Sequence, residues 1–82
     1  MPDFIEVIPI ADKRYYFSFR KNDSEKGIKF FVVTLEENDS ISFEMVQHEI
    51  GIWKINSSVP NWIKKIESKL SEAIQLRQDL NI

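Results

Sequence analysis

The one histidine of the chain, His48, stands beside Glu49 and is its candidate for a catalytic base. That chemistry needs a nucleophile. The chain has no cysteine, and none of its serines sits in a G-x-S-x-G elbow, so His48 reads as a solvated turn residue. A single histidine and no thiol also exclude multi-histidine and thiolate metal sites. Two acidic clusters remain as oxygen-ligand candidates: Glu36, Glu37 and Asp39, and Asn22, Asp23 and Glu25. Neither has the alternating ligand spacing and central glycine of an EF-hand loop, and both read as solvated loops. With only two glycines, Gly27 and Gly51, the chain cannot form a glycine-rich phosphate cradle. No catalytic, cofactor-binding or metal-ligating residue is expected, and the chain does not read as an enzyme.

The stretch Lys26-Gly27-Ile28-Lys29-Phe30-Phe31-Val32-Val33 resembles the signature of the RNA-recognition motif, in which a Lys-Gly pair opens a strand whose aromatic rings stack on bases. The resemblance implies a base-stacking strand here. It spans eight residues, departs from the motif at Ile28, Lys29 and Val33, and lacks the helix that the motif's fold places between its first two strands. No family follows from it. The net charge of -2, with the basic residues scattered, points the same way, since affinity for nucleic acid comes mainly from clustered Lys and Arg. Nucleic acid is not an expected partner.

Any site must be held by regular elements, and the hydrophobic period identifies them. Residues 59–80, VPNWIKKIESKLSEAIQLRQDL, read as one amphipathic helix. At about 100° per residue, Val59, Trp62, Ile63, Ile66, Leu70, Ala73, Ile74, Leu76 and Leu80 fall within an arc of roughly 160°, with Lys64, Glu67, Ser68, Ser71, Glu72, Gln75 and Asp79 opposite. Arg77 lies inside the apolar arc, where it snorkels to water near the negative end of the dipole. Asn56, Ser57 and Ser58 offer N-cap oxygens, and Pro60 suits the first turn.

Upstream the period falls to two. Residues 4–10 read as a strand that Pro9 confines to an edge. Asp12, Lys13 and Arg14 form a turn, and residues 15–20 a strand with Tyr15, Phe17 and Phe19 on one face. Residues 21–27 are a polar loop in which Gly27 takes a positive φ. Residues 28–35 are apolar on both faces, Phe30 and Val32 on one, Phe31, Val33 and Leu35 on the other, so this strand belongs mid-sheet. Residues 36–40 form an acidic turn, residues 41–46 a fourth strand, His48 to Gly51 a turn, and residues 52–55 a fifth strand.

The expected fold is α+β: a five-stranded antiparallel meander with one C-terminal helix packed on one face, a two-layer sandwich in a single domain, 1–82. Such a sheet is about 20 to 24 Å across, whereas a helix is only about 10 to 12 Å wide. One apolar row of strand three and one of strand one are left without a partner, while strands two, four and five turn polar residues to that side. The expected function is therefore a small non-catalytic interaction module that self-associates as a homodimer, with Phe31, Val33 and Leu35 as the possible interface, or Phe30 and Val32 if strand three is turned the other way. The alternative, from another class, is a small-molecule-binding or catalytic domain with an aromatic pocket under a curled sheet. Tyr15, Phe17, Phe19, Trp53 and Trp62 would line it, yet a pocket of about 300 Å³ would hollow out much of so small a core. The amino terminus has no basic n-region, and Glu6 and Pro9 break its apolar run, so it does not read as a signal peptide. No apolar run approaches the ~20 residues of a membrane span. A cytoplasmic protein is the expectation.

Overall fold

The structure, a computed structural model, describes residues 1–80. Its strands β1 (Phe4–Ile10), β2 (Lys13–Ser24), β3 (Gly27–Glu36), β4 (Asp39–Glu49) and β5 (Ile52–Ile55) lie side by side in chain order in one antiparallel sheet. Helices α1 (Asn61–Lys64) and α2 (Glu67–Leu80) follow. The α+β meander with a C-terminal helical layer is thus the observed architecture.

Its strands run further than residue polarity predicts, because each connection closes as a two-residue turn. Ala11 and Asp12 make the first, so Lys13 and Arg14 pair with Ile10 and Pro9 and are not turn residues. The expected loop over residues 21–27 is mostly strand: Lys21 to Ser24 pair with Phe30 to Gly27 around a turn at Glu25 and Lys26. Gly27 has φ 116, the left-handed side that a side chain would oppose. Glu37 and Asn38 make the third turn, with Glu37 at φ 57, and Ile50 and Gly51 the fourth. His48 is consequently in β4 and not in a turn. It is the extra residue of a bulge, since Gln47 opposes Trp53 and Glu49 opposes Ile52. In each case ladder hydrogen bonds outweigh the turn preference of polar side chains.

The helical segment departs from the single helix 59–80. It begins at Asn61 behind an N-cap Pro60 with no side-chain cap. Ser57 does not cap; its Oγ accepts from the Glu44 N–H at 3.2 Å and ties the segment after β5 to the sheet. A break falls at Lys65 and Ile66, where the N–H groups of Ile66 and Lys69 donate to the carbonyls of Ile63 and Ile66, bonds of a tighter, three-residue turn. No proline or glycine marks this point, so packing sets it: Trp62 of α1 rests on Tyr15 and Phe17, with ring centroids 4.5 and 6.3 Å away, while α2 lies over β5.

Strand alternation sends Phe17, Phe19, Phe30, Val32, Phe43, Met45 and Trp53 inward, where they meet Ile63, Ile66, Leu70, Ala73 and Ile74. Their rings interlock. Phe4 stacks on Phe19 at 4.5 Å, and Phe30 meets Trp53 edge to face at 5.1 Å. The aromatic stripes are the core beneath the helix. Leu76 and Leu80, expected inside, are exposed. Arg77 does not simply snorkel; its guanidinium sits 5.0 Å from the Phe4 ring centroid.

Glu67 and Ser71, expected on the wet side of the helix, face the outer edge of β5. The Trp53 N–H donates to Ser71 Oγ at 2.8 Å and the Ile55 N–H to Glu67 Oε2 at 2.7 Å. One turn of helix from residue 67 to 71 advances about 6 Å, and two strand residues advance about 6.6 Å, so the two acceptors meet alternate amides without distortion. The helix thereby stands in for a sixth strand and closes that edge. Glu67 is only 13 % exposed on its side chain. Burial raises its pKa, but the Ile55 amide, Lys64 at 3.3 Å and Lys54 at 3.9 Å outweigh it and hold the carboxyl below its ordinary value.

Candidate functional site

Among the described residues no helix lies on the opposite face of the sheet. With Phe30, Val32 and Thr34 turned to the core, Phe31, Val33 and Leu35 stand on this open face, 39, 38 and 62 % exposed. The register supplies their neighbours. Phe31 is flanked by Arg20 on β2 and Glu44 on β4 in one transverse row. In the next row Val33 lies between Ser18 and Ser42, and Ile5 of β1 extends it beside Ser18. Val7 and Tyr16 pair further along, both exposed, as is Ile52 of β5. The apolar rows therefore lie on β1 and β3, separated by the mainly polar row of β2.

The face also has relief. The ladder between β2 and β3 ends at Ser18 and Val33, and past that point the Thr34 hydroxyl donates to the Tyr16 carbonyl at 2.9 Å. A trough of about 600 Å³ opens where Pro2, Ser18, Arg20, Phe31 and Val33 meet. Exposed walls make it an open trough and not a closed cavity. Electrostatically the face is sparse at its centre: Arg20 on one side of Phe31, Glu44 on the other, and Lys29 with its Nζ 3.9 Å from Glu44.

The residues weighed for chemistry do not converge. His48 is exposed on the bulge of β4, the hairpin of β3 and β4 carries Glu36, Glu37 and Asp39 at its end, and the hairpin of β2 and β3 carries Asn22, Asp23 and Glu25. Asn22, Asp23, Glu36 and Asp39 are strand residues, not loop residues. Among the described residues no three of His, Cys, Asp and Glu are grouped as a metal would need. The resemblance to the RNA-recognition motif stops at the sequence. No helix separates β1 from β2, and of its two adjacent aromatic residues Phe30 is buried in the core while Phe31 alone is on the open face.

Sequence reasoning reached Phe31, Val33 and Leu35 but not the partners beside them. Arg20 and Glu44 read as ordinary wet positions of alternating strands, and an apolar row of strand one and the Tyr16 side of strand two were expected on this face without the pairing that sets them beside β3. Only the strand register puts Arg20 and Glu44 on either side of Phe31. The one available signal was the parity of each strand once its neighbour was fixed. No helix among the described residues is long and apolar enough to cross a membrane. No protein-family model matches the chain, and no curated protein or solved structure is significantly similar to it.

Proposed function

We propose that this protein is a small non-catalytic interaction module that joins a second copy of itself through the open face of the sheet, with Phe31, Val33 and Leu35 at its centre. The observation that supports the reading is the apolar row of β3, held in mid-sheet yet covered by the described residues on one side only. Size supports it as well. A face five strands wide and about six residues long has a footprint of roughly 500 Å², so two of them occlude about 1,000 Å², the lower bound for a specific interface. An 82-residue domain buries a smaller share of its surface than a large one and has most to gain from such burial. Cytoplasmic residence belongs to the same proposal.

Sedimentation equilibrium over a concentration series is the test. A mass near twice 9.7 kDa at micromolar to hundred-micromolar concentration is the expected result. Leu35→Asp, at an exposed position, should weaken association while leaving the melting of the monomer intact. A mass that stays at 9.7 kDa up to several hundred micromolar removes the reading and favours the small-molecule alternative.

A further inference from the structure

The row Arg20, Phe31, Glu44 is self-complementary, and from it we infer how two copies meet: face to face, about a two-fold axis that runs along β3, with Arg20 of each copy paired to Glu44 of the other. The inference rests on the proposed self-association and adds its geometry. Three facts carry it. Arg20 and Glu44 are each directly opposite Phe31 in the register, on neighbouring strands to either side. All three project from the open face, as alternation from the buried Phe19, Phe30 and Phe43 requires. Their charges are opposite.

A two-fold axis lying in the interface along β3 keeps distance along the strand and exchanges left for right. It therefore places β2 of one copy over β4 of the other. Arg20 then faces the second copy's Glu44, the second Arg20 faces the first Glu44, and the two Phe31 rings meet on the axis between them. One row along, Ser18 falls opposite Ser42 on both sides of the Val33 contact, and these small side chains let the sheets approach. An axis in the interface but perpendicular to the strands would instead stack β2 on β2, bringing Arg20 over its own strand and Glu44 over its own, with no attraction gained. Lys29 also lies on β3, so the same axis brings it toward the second copy's Lys29, and its own Glu44, at 3.9 Å, offsets part of that like-charge cost. Glu44 thus ends between two cations, one from each copy. Isologous pairing of this kind makes every charge count twice.

The test is a charge swap, read by sedimentation equilibrium and by thermal melting of the same samples. Arg20→Glu or Glu44→Arg alone turns both attractive pairs into repulsive ones and should raise the dimer Kd by roughly tenfold or more, with strong salt dependence. The double variant R20E/E44R restores opposite charges across the axis and should return the Kd to near that of the wild type. Among the described residues Arg20 makes no ion pair, so melting of dilute R20E verifies that the fold is kept. If the wild type dimerises and the single variants dimerise as tightly, the axis is wrong while the open-face reading stands. If the wild type remains a monomer, that reading falls and the axis with it. Binding of a single-stranded oligonucleotide to the monomer, lost in Arg20→Glu and not restored by the double variant, would also overturn the pairing.

Discussion

Replacing Ser71 with alanine removes one oxygen and leaves everything else in place. Its Oγ accepts the Trp53 N–H at 2.8 Å, and Ser71 is 8 % exposed, so water has no room to take over. An amide stranded in this way costs about 1 to 3 kcal/mol. At about 0.05 to 0.15 kcal/mol per residue the whole domain has roughly 4 to 12 kcal/mol to lose from. With an unfolding entropy near 2.1 cal/mol/K per residue, about 170 cal/mol/K for this chain, the melting temperature should fall by roughly 6 to 18 °C. Calorimetry gives the shift, and hydrogen exchange assigns it: the Trp53 amide should lose protection while amides in the ladder between β2 and β3 keep theirs relative to the new stability. Ser68→Ala, exposed on the same helix, is the control and should change little. A Ser71→Ala protein that melts within a degree or two of wild type, with the Trp53 amide still protected, would refute the claim that α2 closes the edge of β5.

Glu67 gives that edge a pH dependence. Its folded pKa is held below the unfolded value, so its contribution is full above the ordinary carboxylate range near pH 4.3 and is lost as pH falls through the lower folded value. Stability of Glu67→Gln, followed by urea melts, should therefore fall less steeply than wild type on acidification; equal slopes would contradict the assignment. Trp62→Ala and Ile66→Ala should each cost about 2 to 5 kcal/mol, because Trp62 seats α1 on Tyr15 and Ile66 fills the break before α2. A double variant that melts like wild type would mean the helical layer is not docked. Ala11 has φ 56, a conformation that costs an L-residue about 1 to 2 kcal/mol, so Ala11→Gly should be neutral to about 1 kcal/mol stabilising, where the same change in a strand destabilises. A clear loss of stability there would show that the turn is not strained.

The strand count, the meander order and the helical layer were legible because they depend on period. Phe4 to Ile10 and Ile52 to Ile55 alternate or run apolar between clear breakers, and both appear with the expected bounds. The turns were not, because Lys13, Arg14 and Lys21 to Ser24 have the composition of loops and owe their strand conformation to the partner across the hairpin. Helix polarity misled for a related reason. A 100° arc sorts side chains by hydrophobicity, and Glu67 and Ser71 are inside because a strand edge demands acceptors, not apolar surface. The apolar row of β3 could be named from sequence, but which side it faced depended on Tyr15, Phe17 and Phe19 agreeing in register with Phe30 and Val32. Arg20 and Glu44 were invisible for want of that register.

The closed edge of β5 has a consequence in time. Trp53 and its acceptor Ser71 are 18 residues apart, whereas the strands of each hairpin are joined by two residues. Hairpins form in about 1 to 10 μs, so on refolding the meander is free to pair before α2 docks, and until it does the outward amides of β5 have no acceptor on their own chain. Chains caught in that interval present the same edge to each other. Slowing the docking of α2, as Trp62→Ala should, is therefore expected to raise aggregation during refolding at high concentration, while the folded protein, once α2 is down, no longer offers that edge.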